Sequence, residues 1–303
     1  MSRVRVRHIA GLGKFLAALV LASPPGAWTQ QTPSISPVEM IRRAVNGERQ
    51  AQQESTHKFL FLDRKQTPHG SQTRVLVETA DAIAAMTIAY DDKPLNPEQR
   101  RSEMERLRRL ADSPEELRRK HKQELDDAER VGRIVKALPD AFLYDYAGSE
   151  SGNANMGAPG GQLSRLNFRP NPDYDPPSHV EQVLVGMQGY VLVDPEKNRI
   201  ARIDGTLAKD VGFGWGILGH LDRGGRFVVE QREISPGAWE ISRMELRFTG
   251  KILLFKSINI QSTEIFTDFQ PVPPDLKFSQ AIDLLARQEA TFAENTGQPN
   301  QSK

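Results

Sequence analysis

The sequence predicts an α+β fold: a strongly curved antiparallel sheet, or incomplete β-barrel, with flanking helices and an inserted charged helical hairpin. Three features support this fold class. Short stretches of alternating apolar and polar residues follow one another at the spacing of hairpin-ordered strands. Amphipathic helical patterns stand before and after them. A highly charged segment with helical periodicity, residues 96–138, interrupts the strands.

The N-terminus has the pattern of an export signal. Its basic head consists of Arg3, Arg5, Arg7 and Lys14. An apolar run over residues 15–22 follows, and the Ser-Pro-Pro-Gly sequence at 23–26 ends it. We therefore expect residues 1–29 to be a signal peptide and residues 30–36 a flexible lead-in. The mature protein would then be periplasmic or extracellular; the alternative is a basic arm with a buried helix.

Composition excludes several function classes. The chain has no cysteine, which excludes disulfides, thiolate metal sites, cysteine nucleophiles and the cysteine-linked lipid anchor of lipoproteins. The apolar run at 15–22 is much shorter than the roughly 20 residues of a membrane-spanning helix. Loss of residues 1–29 removes four positive charges and no acid, so the net charge falls from +1 to −3. We therefore expect no transmembrane segment in the mature chain and no nucleic-acid partner.

A single domain over residues 37–295 is expected to hold all the regular structure. Ser36 and Pro37 begin a helix that should run to about Gln53. Strands are predicted at 57–64, 73–79 and 83–90. The hairpin at 96–138 then carries 12 Lys or Arg and 10 Asp or Glu in 43 residues, and Pro114 divides it into two helices. We expect a solvated pair that packs one narrow face on the sheet.

The second half is predicted to be almost entirely β. Its strands are expected at 141–146, 163–169, 183–193, 199–207, 226–234, 239–248 and 251–266. Residues 148–162 are rich in glycine, serine and asparagine, which predicts a flexible loop. Gly250 is expected to form a turn. A last helix should begin near Ser279, and residues 296–303 should be a disordered tail.

The hairpin rhythm of the C-terminal half resembles the LolA/LolB-type fold of periplasmic lipoprotein carriers and outer-membrane lipoprotein-sorting proteins. The similarity lies in Gly189-Tyr-Val-Leu-Val-Asp194, the return strand Arg199-Ile-Ala-Arg-Ile-Asp204, the segment Gly237-Ala-Trp-Glu-Ile241 and the strand from Ile252 to Phe266. This resemblance covers roughly residues 57–95 and 140–270 and implies an incomplete barrel with an apolar concavity for acyl chains. The 96–138 hairpin departs from the compact carriers.

No residue pattern indicates an enzyme, a cofactor or a metal. The sequence Gly214-Trp-Gly-Ile-Leu-Gly219 matches a dinucleotide-binding motif, but turn residues follow it in place of a helix. A glycine-rich bend at the rim of the barrel is the favoured interpretation. The histidines are scattered without the spacing of a zinc site. We therefore expect no catalytic residues, no cofactor and no metal, and a protein that is not an enzyme.

The expected function is to hold an apolar ligand, lipid or acyl chain, in the concave face of the sheet. The candidate lining residues are Met86, Ile88, Tyr90, Ile252, Leu254, Ile258 and Ile260. The candidate rim or gate residues are Phe213, Trp215, Ile217 and Leu218. Partners would be lipid or an acylated protein. The alternative is a non-catalytic scaffold that docks a cell-envelope protein through the helical hairpin.

Overall fold

The computed structural model of the protein describes residues 35–54, 56–213, 219–252 and 256–297. The predicted signal peptide lies outside these residues, as do most of the lead-in and most of the tail. The described part confirms the predicted fold class: an α+β protein with an open antiparallel sheet of 13 strands. In chain order the elements are α1 (Pro37–Glu54), β1 (Lys58–Thr67), β2 (Gly70–Val77), β3 (Ala84–Tyr90), β4 (Lys93–Pro94), α2 (Pro97–Ala111), α3 (Pro114–Ala141), β5 (Phe142–Ser151), β6 (Gln162–Pro170), a 3-10 helix (Glu181–Gly186), β7 (Met187–Asp194), β8 (Arg199–Leu207), β9 (Val211–Phe213), β10 (Gly219–Leu221), β11 (Arg226–Ser235), β12 (Ala238–Ile252), β13 (Lys256–Val272) and α4 (Phe278–Gly297).

The sheet has the order β4-β3-β2-β1-β13-β12-β11-β8-β7-β6-β5, and the short pair β9–β10 joins it at β12. Most neighbours in the sheet are also consecutive in the chain; the exceptions on this path are β1 beside β13 and β8 beside β11. The two ends of the sheet are β4 and β5, and these two strands do not pair with each other. An open, curved sheet of this order leaves two edges and two faces that other parts of the chain must cover.

Two helical layers cover opposite ends of the sheet. Helix α1 and the end of α3 pack on β5–β8, where Ile41, Leu166 and Val191 are buried. Helices α2 and α4 pack on β1–β3, where Val75 and Leu285 are buried. Each layer hides the apolar alternate residues of its strands, which is the main source of stability for such a sheet.

The strand register shows that these layers lie on opposite faces of the sheet. One set of facing partners runs from the buried Val191 through Ile203, Val229 and Met244 to Glu264 and Lys65. Lys65 alternates along β1 with Leu60 and Leu62, which belong to the core under α4. Side chains alternate between faces along a strand, so the two cores are on different faces. We call the face that carries Val191 the α1 face, and the other the α4 face.

Helix α3 connects the two layers. Leu117 in its first turn packs against the core at β1–β3, whereas Ile134 and Val135 pack against the core at β5–β8. One helix contacts both because a sheet twists by roughly 20–25° per strand. Over this many strands, the twist turns opposite faces of the two ends toward the same side.

Three details of the sequence prediction need correction. Gly250 is not in a turn but inside β12, paired with Ile258, and a Cβ there would lie 2.1 Å from the carbonyl oxygen of His220. Glycine is needed at this position for close approach to β10. Residues 148–151 belong to β5, and after them Met156 and Ala158 are buried against Trp239. The strand predicted at 183–193 begins only at Met187, because the 3-10 helix comes first.

Candidate functional site

A strip of partly exposed apolar side chains lies on the α1 face of the middle strands. The register puts Val229 opposite both Ile203 and Met244, Phe227 opposite Leu246, and Phe248 opposite Ile260. We call this surface the apolar strip; it lies on β8, β11, β12 and β13. Its residues are Ile203, Phe227, Val229, Met244, Leu246, Phe248, Ile258 and Ile260. Strand spacing gives it a width of roughly 15 Å in each direction.

This strip is less covered than either core. Seven of its residues are half-buried, and Ile260 keeps 44% of its surface exposed. The main contacts of β11, β12 and β13 are with neighbouring strands, whereas α1 packs on β7 and β8 and α4 on β2 and β3. Phe227 and Phe248 join the strip to the core under α1. The strip is thus an extension of that core beyond its helical cover.

Two glycines let aromatic rings lie low in the strip. A Cβ on Gly205 would meet the Phe227 ring at 2.5 Å, and one on Gly225 would meet the Phe248 ring at 2.5 Å. Each ring therefore lies against the backbone of a glycine, where any larger residue would collide with it. The two glycines thus allow Phe227 and Phe248 to pack close to the sheet at this end of the strip.

The opposite face of the same strands is charged. Arg202 contacts Asp204 at 2.7 Å and Glu230 at 2.6 Å, and Arg226 contacts Asp204 at 2.9 Å. Burial raises the pKa of Asp204, but hydrogen bonds from Arg226 and Arg202 outweigh it and hold that pKa below its usual range. The middle of the sheet therefore has one ionic and one apolar face, and only the apolar face suits a lipid.

The predicted lining residues do not all share this face. Met86 and Ile88 are fully buried in the core under α2 and α4. A bulge near Ile88 pairs Tyr90 with Gln72, on the side of the sheet away from Met86, and Tyr90 is 46% exposed. Ile258 and Ile260 do lie in the apolar strip. A ligand-lining role for these residues stays a prediction.

The structure describes only two of the remaining candidates, Ile252 and Phe213. Ile252 pairs with Lys256 across the β12–β13 hairpin, and Leu254 lies outside the described residues. Of the gate residues, Phe213 is half-buried against the α1 core, and it pairs with Gly219. Trp215, Ile217 and Leu218 lie outside the described residues. The described residues that flank the glycine motif form the antiparallel strands β9 and β10, whereas a dinucleotide site needs a helix directly after the glycines.

Sequence reasoning missed most of the strip. The signal was present in the segment Arg243-Met-Glu-Leu-Arg-Phe248, where charged and apolar residues alternate strictly. The same alternation occurs at Arg226-Phe-Val-Val-Glu230, where the apolar Val228 on the charged side obscures it. The alternation of apolar and polar residues shows that each strand has two different faces. Only the register between strands shows that the apolar residues of the two segments form one continuous surface.

The inserted helices are firmly attached to the edge of the sheet at β3. Glu103 in α2 accepts a hydrogen bond from the backbone N–H of Thr87 at 3.0 Å, and Arg106 donates to the carbonyl of Ala85 at 2.8 Å. Glu124 in α3 accepts from the N–H of Ile83 at 3.2 Å. These side chains satisfy backbone groups that an edge strand would leave unpaired. The hairpin is thus an integral part of the fold.

Within the described residues, no helix is both long and apolar enough to cross a membrane, and no three His, Asp or Glu side chains lie together as metal ligands. Neither a protein-family model nor a curated protein matches the sequence.

Two solved structures are similar in fold. One is a domain assigned to outer membrane lipoprotein sorting, from Vibrio parahaemolyticus, at 11% identity and a TM-score of 0.30, covering 84% of this chain and 98% of that one. The other is a DUF1329 family protein from Desulfovibrio piger, at 12% identity and a TM-score of 0.26, covering 78% of this chain and 94% of that one. The first is of the class that the sequence resembles. Both likenesses concern the fold alone.

Proposed function

We propose that this protein is an exported carrier that holds an acyl chain against the apolar strip, without covalent chemistry. The observation that supports the proposal is a partly exposed apolar surface that continues the α1 core across four strands. Burying eight to ten methylene groups contributes roughly 6–8 kcal/mol before the costs of association. That corresponds to affinity no tighter than the micromolar range. The pattern of residues 1–29 supports a cell-envelope location.

The test compares two isoleucines on the same strand. Ile260 is 44% exposed and faces Phe248 in the strip, whereas Ile265 is 42% exposed and faces Arg243 on the opposite side. Ile260→Glu should weaken the binding of a fluorescent fatty acid by at least about tenfold, because a carboxylate beside an acyl chain loses hydration. Ile265→Glu should leave the Kd unchanged. Equal effects of the two substitutions, or no binding by the parent protein, would contradict the proposal.

A second candidate function rests on α3. Leu125 and Val131 are exposed by 56% and 60%, which is high for apolar residues on a helix of a folded protein. A cell-envelope protein that docks on α3 would cover them. Replacing both with lysine should abolish co-purification of such a partner and leave fatty-acid binding intact. If the double variant lost fatty-acid binding while its partners were unchanged, the scaffold function would be refuted.

A further inference from the structure

The apolar strip has two ends along β13. Among the described residues, only one of these ends carries a charged side chain that has no ion-pair partner. Along β13, Lys256 precedes Ile258 and Ile260 at two-residue steps, so its side chain lies on the same face as theirs. Lys256 is exposed, and it has no ion pair within the described residues. The residues outside the described ranges (1–34, 55, 214–218, 253–255 and 298–303) include no Asp or Glu.

The other end of the strip is neutralised. Glu264 on β13 is paired with Lys65 at 2.7 Å. Beyond it, Asp63 is paired with Arg74. A ligand that lies along β13 therefore meets a free ammonium group at one end and compensated ion pairs at the other. This asymmetry favours one orientation of an amphiphile, with a negative head at Lys256.

Building on the proposed function, we propose that the ligand is an amphiphile with an anionic head, and that the Lys256 ammonium group contacts this head. The chain of the amphiphile lies on Ile258, Ile260 and Phe248. The head, a carboxylate or a phosphate, stays at the solvent-exposed end of the strip. Because Lys256 is exposed, its contribution to affinity is modest and falls as salt is added.

Lys251 supplies a matched control. It is also an exposed lysine near the same hairpin, but it pairs with Ser257 and so lies on the charged face of the sheet. Substitution of either lysine changes the net charge of the protein by the same amount. A general electrostatic effect would therefore appear in both variants, whereas a head-group contact would appear only at Lys256.

The experiment measures the Kd of oleate, oleoyl lysophosphatidate and the neutral oleyl alcohol for the full chain at alkaline pH. The parent should bind the two anionic ligands more tightly than the alcohol, by about two- to fivefold at low salt. Lys256→Gln should remove this preference without changing the affinity for oleyl alcohol, and Lys251→Gln should keep it. A preference for only one of the anionic ligands would identify the head as carboxylate or phosphate. Lys256→Glu should instead favour oleylamine.

Two results would overturn the inference in distinguishable ways. If the parent protein binds none of these ligands, the proposed function fails and takes this inference with it. If the parent binds oleate and oleyl alcohol equally, or if Lys256→Gln and Lys251→Gln have the same effect, the carrier function stands and the role of Lys256 is refuted.

Discussion

The β1–β3 end and the middle of the sheet show the same alternation of apolar and polar residues with different outcomes. At β1–β3, helices α2 and α4 cover the apolar side, and Met86 and Ile88 are completely buried. In the middle strands, the apolar strip lies beyond the helical cover and Ile260 is 44% exposed. An apolar face that is covered contributes to stability, whereas one that is open is available for binding.

The largest expected effect is on the covered side. Ile88→Ala should lower the free energy of unfolding by about 2–5 kcal/mol, because it opens a cavity in a closed core. Ile260→Ala removes the same atoms from a side chain that is nearly half exposed, and it should cost less than about 1 kcal/mol. Chemical denaturation of the two variants measures both values. Similar losses of unfolding free energy in the two variants would mean that Ile88 and Ile260 are equally covered by the rest of the protein.

Gly205→Ala should disturb the floor of the strip. The new methyl group would lie 2.5 Å from the Phe227 ring and 3.0 Å from the Met187 side chain, so both must move. We expect a loss of about 1–3 kcal/mol in unfolding free energy, as for overpacked sites, together with weaker fatty-acid binding. Denaturation and ligand titration of the same sample check the two effects. Unchanged fatty-acid affinity would show that the position of Phe227 is irrelevant to binding.

Glu240 should make stability depend on pH. Burial and the nearby Glu78 raise the pKa of Glu240 to about 7. In the unfolded chain, Glu240 loses its proton near the ordinary pKa of 4.5, whereas in the folded state it keeps this proton up to about pH 7. The free energy of unfolding therefore falls as the pH rises from 4.5 to about 7. Glu240→Gln should flatten this slope and stabilise the protein at alkaline pH by about 1–2 kcal/mol.

An exposed acid provides the control for this pH dependence. A hydrogen bond from Arg64 lowers the pKa of Asp92, so Asp92→Asn should slightly decrease stability above the ordinary carboxyl range. Unfolding curves measured across pH distinguish the opposite signs. A parent protein whose stability does not fall between acidic and neutral pH would contradict the assignment of Glu240.

The smallest effect is expected in α3 between the two cores. A Cβ on Gly132 would meet nothing within 4 Å. Gly132→Ala should therefore raise the free energy of unfolding by about 0.5–1 kcal/mol through helix propensity alone. Thermal unfolding of this variant measures the gain. A loss of stability would show that α3 packs against something at this point.

The fold was largely predictable because its signals are local. The cap at Asn96, the prolines at 97 and 114, and the two-residue periodicity of the strands each specify an element without reference to the rest of the chain. Errors arose where long-range contacts decide the conformation. Gly250 reads as a turn residue in sequence, but its conformation is set by the approach of β10.

The site was only partly predictable for the same reason. Ile258 and Ile260 follow from alternation along one strand. The bulge near Ile88 transfers Tyr90 to the other side of the sheet, and no local pattern marks that bulge. Whether a helix covers an apolar face depends on the path of the whole chain, so sequence alternation could not separate the buried Met86 from the half-exposed Met244.

The central claim, that the α1 face of the middle strands holds an acyl chain, is tested most directly by local labelling. Because the chain has no cysteine, Ile260→Cys and Ile265→Cys each accept one environment-sensitive fluorophore at a unique position. Addition of oleate should shift the emission of the label at 260 to shorter wavelength and leave that of the label at 265 unchanged. Equal shifts at both positions, or a shift at 265 alone, would contradict the account.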